Sequence, residues 1–144
     1  MVEFILNSLH DTDLIAKKIA NEAKIGDIFL LYGDLGSGKT TFSRFFIREF
    51  LKNPDLDVTS PTFNIIQTYG NSLKEVWHVD LYRIEDVNEI YNLGLEDAYG
   101  NALMLIEWPE RFGSNIPYGN ITRLDFSIKN EKFLLNISKN TKIS

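Results

Sequence analysis

The sequence predicts a single α/β domain, with a mixed and mostly parallel central sheet flanked by helices. Three observations point there. Strand-like and helix-like segments alternate through the N-terminal third, the pattern of a parallel layer with crossover helices. Ile28–Tyr32 and Leu103–Ile106 are nearly unbroken apolar runs, as strands buried on both faces are. Two later pairs of strand-like segments are joined by polar turns, which adds antiparallel neighbours. A length of 144 residues suits one hydrophobic core, so 1–144 is read as one domain.

Taken in order, Val2–Leu6 is a short apolar run bounded by Asn7-Ser8, a predicted strand. Asp11 is the expected cap of a helix to about Lys24, with Leu14, Ile15, Ile19, Ala20 and Ala23 on one face. Gly26-Asp27 breaks it, and the buried strand Ile28–Tyr32 follows. A Gly-rich turn, Gly33–Gly38, leads into a helix whose inner face carries Phe42, Phe45, Phe46 and Phe50, ending near Leu51 before Asn53-Pro54. Phe63–Tyr69 and Glu75–Asp80 are predicted strands joined by Gly70-Asn71-Ser72. Asp86–Leu93 and Leu95–Tyr99 read as short helical pieces broken at Gly94. Leu103–Ile106 is the second buried strand. Ile121–Ile128 and Lys132–Ile137 form a final pair around Lys129-Asn130-Glu131.

Composition narrows the function. Hydrophobic residues make up 44% and charged residues 24%, an ordinary globular balance. The absence of Cys removes thiol catalysis, Cys-ligated zinc and iron–sulfur clusters, and suits a reducing compartment. Two His leave little for a His-based metal site. No apolar run approaches the roughly 18 residues of a membrane span. Met1–Asn7 has no basic n-region and no long h-region, so no export signal and a cytoplasmic location are expected. The sequons at Asn120 and Asn136 then carry no meaning. A net charge of -5 argues against direct, strong nucleic-acid binding.

The strongest local signal is Gly33-Asp34-Leu35-Gly36-Ser37-Gly38-Lys39-Thr40, which fits G-x-x-x-x-G-K-[ST] at every fixed position. Chance would produce it in roughly one in a few hundred chains of this length. A buried strand precedes it and an amphipathic helix follows. Glycines let backbone N–H groups close around phosphate oxygens, and the helix start at Lys39 adds partial positive charge. Lys39 would face the β- and γ-phosphates, and Thr40 offers a hydroxyl to Mg²⁺. The domain is therefore read as P-loop NTPase-like.

Such a site needs carboxylates for the metal and the attacking water. Asp80 and Glu107 end strand candidates, where α/β ligand sites collect. The lesser alternative for Asp80 is a helix or turn cap or a partner of Arg83, and for Glu107 a surface carboxylate before Pro109. His78 reads first as a hydrogen-bonded core residue, and Trp108 as core or site neighbour. Thr62, within Thr59-Ser60-Pro61-Thr62-Phe63, sits where a switch loop senses phosphate in P-loop proteins, or in an ordinary loop.

These motifs together resemble the bacterial TsaE (YjeE) family of tRNA threonylcarbamoyladenosine biosynthesis. The matching segments are Leu31–Phe42, Ser60-Pro61-Thr62-Phe63, His78-Val79-Asp80-Leu81-Tyr82-Arg83 and Ile106-Glu107-Trp108-Pro109-Glu110. The tail beyond Arg111 matches little. The resemblance implies a small cytoplasmic Mg-dependent ATPase, slow alone, that supports turnover by TsaD and TsaB and meets tRNA only through them. It implies that Asp34, Leu35, Gly36, Ser37, Gly38, Lys39, Thr40 and Thr41 hold ATP, and that Thr40, Glu107 and Asp80 serve Mg²⁺. Lys39, Asp80, Glu107, Thr62 and Trp108 become the catalytic set. Thr12 is placed near the adenine, with Lys132 and Lys129 helping to hold the base. Arg83 and Arg111 are left without a role.

Two other functions stay open on the residues. A small-molecule kinase would need an Arg-bearing lid, yet the Arg residues are scattered at 44, 48, 83, 111 and 123. A nucleotide-gated binding module would use ATP to order Thr59–Phe63 without functional hydrolysis.

Overall fold

The computed structural model describes residues 2–114 and 117–140. The outer limits of the one-domain reading, Met1 and 141–144, lie outside the described residues. Seven strands form one sheet in the order β1-β7-β6-β2-β5-β4-β3. They are β1 (Val2–Leu6), β2 (Asp27–Tyr32), β3 (Ile66–Asn71), β4 (Lys74–Asp80), β5 (Leu103–Glu107), β6 (Asn120–Lys129) and β7 (Lys132–Asn140). The central four, β6, β2, β5 and β4, run parallel. The outer pairings, β1–β7, β6–β7 and β3–β4, are antiparallel. This is the mixed sheet with a parallel centre that the unbroken apolar runs predict.

Helices α1 (Leu9–Glu22) and α2 (Lys39–Phe50) pack against each other and cover one face. The other face lies under α3 (Val87–Tyr91) and two 3₁₀ turns, Leu95–Asp97 and Pro109–Phe112. Strand alternation divides the core accordingly. Phe29 and Leu31 of β2 face α2, while Ile28 and Leu30 face the opposite cluster. Phe42, Phe46 and Phe50 recur every four residues along α2, one helical stripe. Phe46 meets Phe29 edge-on at 5.1 Å and stacks with Phe50 at 6.1 Å, and Phe42 meets Phe126 at 5.5 Å. These rings anchor the helix that starts with Lys39.

Three local expectations shift. Helix α1 is capped by Ser8, not Asp11: Asp11 N–H donates to Ser8 Oγ at 3.2 Å, and Asn7 N–H donates to Asp11 Oδ2 at 2.9 Å. Asp11 thus closes a variant of the capping box from inside the first turn. Thr12 faces inward with Ile15, Ala16 and Ala20, while Leu14, expected on that face, is exposed. Strand β3 begins at Ile66 rather than Phe63, because Ile65 takes φ 68° and turns the chain. The β3–β4 hairpin turns at Ser72-Leu73, where Asn71 Oδ1 accepts N–H bonds from Leu73 and Lys74, an Asx turn. Gly70 remains in the strand, and a Cβ there would lie 2.1 Å from the Lys74 carbonyl.

Candidate functional site

The parallel centre brings three strand ends to one edge. Strand β5 lies between β2 and β4, with Leu31 opposite Glu107 and Glu107 opposite Asp80. The loop after β2 and both carboxylates therefore gather beyond the carboxyl ends of adjacent strands.

The loop itself depends on glycine. Gly33 has φ 145°, and a Cβ would come within 2.6 Å of the Phe126 carbonyl and of Ser37 Oγ. Ser37 N–H donates to the Asp34 carbonyl at 3.1 Å. Gly38, at φ 104°, is the N-cap of α2 and supplies no side-chain cap. The first-turn N–H groups are thereby left for another acceptor. Lys39 is only 5% exposed. Its Nζ donates to the Gly33 carbonyl and lies 3.9 Å from the centroid of the Trp108 ring. Burial lowers its pKa from the ordinary value, opposed by the carboxylates of Glu107, Glu110, Asp80 and Asp34.

Glu107 is 2% exposed and Asp80 is 4% exposed. The Thr40 hydroxyl donates to Glu107 Oε1 at 3.3 Å. His78 Nε2 lies 2.7 Å from Glu107 Oε2. Asp80 accepts from Tyr82 N–H at 2.9 Å and from the Thr62 hydroxyl at 3.1 Å. It thus closes a turn and also faces the site, whereas Arg83 lies over the Phe63 ring at 5.4 Å. Burial raises the Asp80 pKa, and neighbouring Glu107 adds to this. Trp108 takes the left-handed conformation, φ 59° and ψ 48°, costly for a bulky residue. Its ring lies against Tyr82, centroids 4.9 Å apart, as well as Lys39.

A cavity of about 440 Å³ joins these groups. One end is lined by the loop from Leu35 to Thr41, with Thr62, Asp80, Glu107 and Trp108. The other end is lined by Leu6–Leu9, Thr12 and Phe133. The structure thus brings together every loop residue read from the sequence except Asp34, which is not in the wall. Lys132 is also outside it: Lys129 and Lys132 face each other across the β6–β7 turn. Successive strand residues point to opposite faces, so it is Phe133 that reaches the cavity. Leu6, Asn7, Ser8, Leu9 and Phe133 line it without having been singled out from the sequence. The alternation of β7 carried a signal for Phe133; nothing marked Leu9. Among the described residues, no three His, Cys, Asp or Glu side chains form a metal-binding group.

The model of the family described as "Threonylcarbamoyl adenosine biosynthesis protein TsaE" matches residues 6–137. This chain belongs to the TsaE family. A TsaE protein of Rickettsia felis is 47% identical over 74% of this chain and 61% of its own length. That of Bacillus subtilis is 42% identical over 74% of this chain and 66% of its own. The alignments span about three fifths of the Rickettsia felis and Rickettsia conorii relatives, 61% and 59%. The crystal structure of Bacillus subtilis YdiB superposes with a TM-score of 0.74 at 26% identity, covering 96% of this chain and 84% of that one. The family match contains every site segment above, from Leu6 and Ser8 to Phe133.

Proposed function

We propose that this TsaE-family chain is a Mg-dependent ATP hydrolase that serves tRNA threonylcarbamoyladenosine biosynthesis with TsaD and TsaB. The relatives carry that biosynthetic role in their names. The observation that carries the hydrolase reading is the meeting of a buried Lys39, the Thr40–Glu107 pair and Asp80 in one cavity.

The donor set fits Mg²⁺, which takes few protein oxygens and keeps much of its water. The Thr40 hydroxyl and the carboxylates of Glu107 and Asp80 would hold it, and it would neutralise charge between the phosphates. Lys39 exchanges the Gly33 carbonyl for phosphate oxygens, and the α2 N–H groups bind the others. Asp80, held on both oxygens by Tyr82 and Thr62, orients water for in-line attack. Thr62 couples that acid to the Ser60–Phe63 loop. The wall from Leu6 to Thr12, with Phe133, receives the base.

The test is phosphate release from ATP, measured alone and with TsaB, TsaD and tRNA. Free phosphate without an acceptor, accelerated by the partners, supports the proposal. Phosphate transferred to an added metabolite faster than hydrolysis makes the chain a kinase. Many rounds of tRNA modification with Glu107→Ala, binding but not splitting ATP, make it a nucleotide-gated module.

A further inference from the structure

His78 has no place in the roles above, yet it directly contacts one of the two acids of the site. It is fully buried at 0% exposure. It stands two residues before Asp80 on β4, on the same face of the sheet. One ring nitrogen, Nε2, lies 2.7 Å from Glu107 Oε2. The other, Nδ1, is buried without a hydrogen-bond partner among the described residues. A histidine kept only for the core would be expected to satisfy both nitrogens. Here one is left unpaired while the other is directed at the acid beside Thr40.

The chemistry of the contact is one-directional. An ionised carboxylate only accepts, so the proton between the groups sits on Nε2. Nδ1 is then a bare acceptor, better tolerated without a partner than a buried N–H. The two oxygens of Glu107 are therefore not equivalent: the Thr40 hydroxyl reaches both, and only one meets His78. Oε2 is taken by His78, and Oε1 lies nearer the Thr40 hydroxyl, at 3.3 Å against 3.5 Å.

We propose that His78 is a positioning residue for the metal: its Nε2–H pins one oxygen of Glu107 so that the other stays turned to Thr40. This rests on the Mg-nucleotide reading above. Partners that orient a metal-ligating group in this way typically change metal affinity by about 10–100-fold.

The test separates donor position from structural support. In His78→Gln the side-chain amide nitrogen falls near the place of Nε2. In His78→Asn it falls near Nδ1, facing away from Glu107, and His78→Leu has no donor. Mn²⁺, a paramagnetic stand-in for Mg²⁺, is titrated onto each ADP-loaded protein and followed by EPR. ADP affinity in EDTA is measured in parallel. Mn²⁺ affinity is expected to fall about 10–100-fold in the Asn and Leu variants and to stay near native in Gln. ADP affinity in EDTA is expected to be unchanged throughout. Equal Mn²⁺ affinity in the Gln and Asn variants overturns the inference, because a packing role makes no distinction between them. That comparison decides the matter even if His78→Leu does not fold. A native chain that binds neither ADP nor Mn²⁺ overturns the Mg-nucleotide reading and this inference with it.

Discussion

Replacing Asp80 with Asn should make the protein more stable and less active at once. The carboxyl is 4% exposed, and burial raises its pKa above the ordinary Asp value. The folded chain therefore favours the protonated form more than the unfolded chain does. Above the folded pKa the fold carries a charge that it disfavours, so the stability present below the unfolded pKa is lost as pH rises through the folded pKa. Asn removes that charge and keeps the contacts: its carbonyl accepts from Tyr82 N–H, and its amide donates to the Thr62 hydroxyl. Relief of a charge strained for function is worth on the order of 1 kcal/mol. For a chain of 144 residues this is about 3 °C in thermal midpoint. The gap between variant and native should be largest at neutral pH and close as pH falls towards the ordinary Asp range. Hydrolysis should fall at least about 100-fold in kcat, because the neutral amide orients water poorly. Differential scanning calorimetry across pH, beside phosphate release, measures both. A lower midpoint at neutral pH, or a gap that ignores pH, would refute the argument that burial of this charge opposes folding.

Three further outcomes follow from the same geometry. Lys39→Ala should weaken ATP binding by roughly 10–150-fold in calorimetry, the worth of one charge-assisted hydrogen bond; native affinity should decline with rising pH below the ordinary lysine range, since burial lowers the Lys39 pKa, and the variant should lack that decline. Phe133→Ala should lower ATP affinity about 10-fold by removing a base-stacking surface, while leaving tripolyphosphate binding unchanged in the same assay. Phe46→Ala removes the ring shared by Phe29, Phe42 and Phe50 and should cost about 3–5 kcal/mol in urea unfolding.

The conformation of the Gly33–Gly38 loop was legible because it is written in adjacent residues. Gly33 and Gly38 need φ values that other residues resist, and Lys39 and Thr40 follow them directly. The capping of α1 was less so: Ser8 and Asp11 are both good cap residues, and only the reciprocal bonds with Asn7 decide between them. Thr12 rather than Leu14 lies on the inner face of the helix, and Thr12 lines the far end of the cavity. Lys132 lies one residue before the cavity-lining Phe133, which in a strand means the opposite face.

The sequence also left Asp80 and Glu107 unranked, since each ends an apolar strand. Strand order gives them different neighbours. With β5 between β2 and β4, Glu107 neighbours the loop strand, and its carboxylate meets Thr40 directly. Asp80 stands one strand farther out, where its partner is Thr62 of the Ser-Pro-Thr-Phe segment. The two acids therefore touch different segments: one the helix that follows the Gly-rich loop, the other the loop that leads out to exposed Phe63. No spacing along the chain encodes that division, because it arises only when parallel pairing sets Asp80 and Glu107 side by side. A change at Thr62 should accordingly disturb hydrolysis through Asp80 while sparing the Thr40–Glu107 pair, and a change at Thr40 should do the reverse.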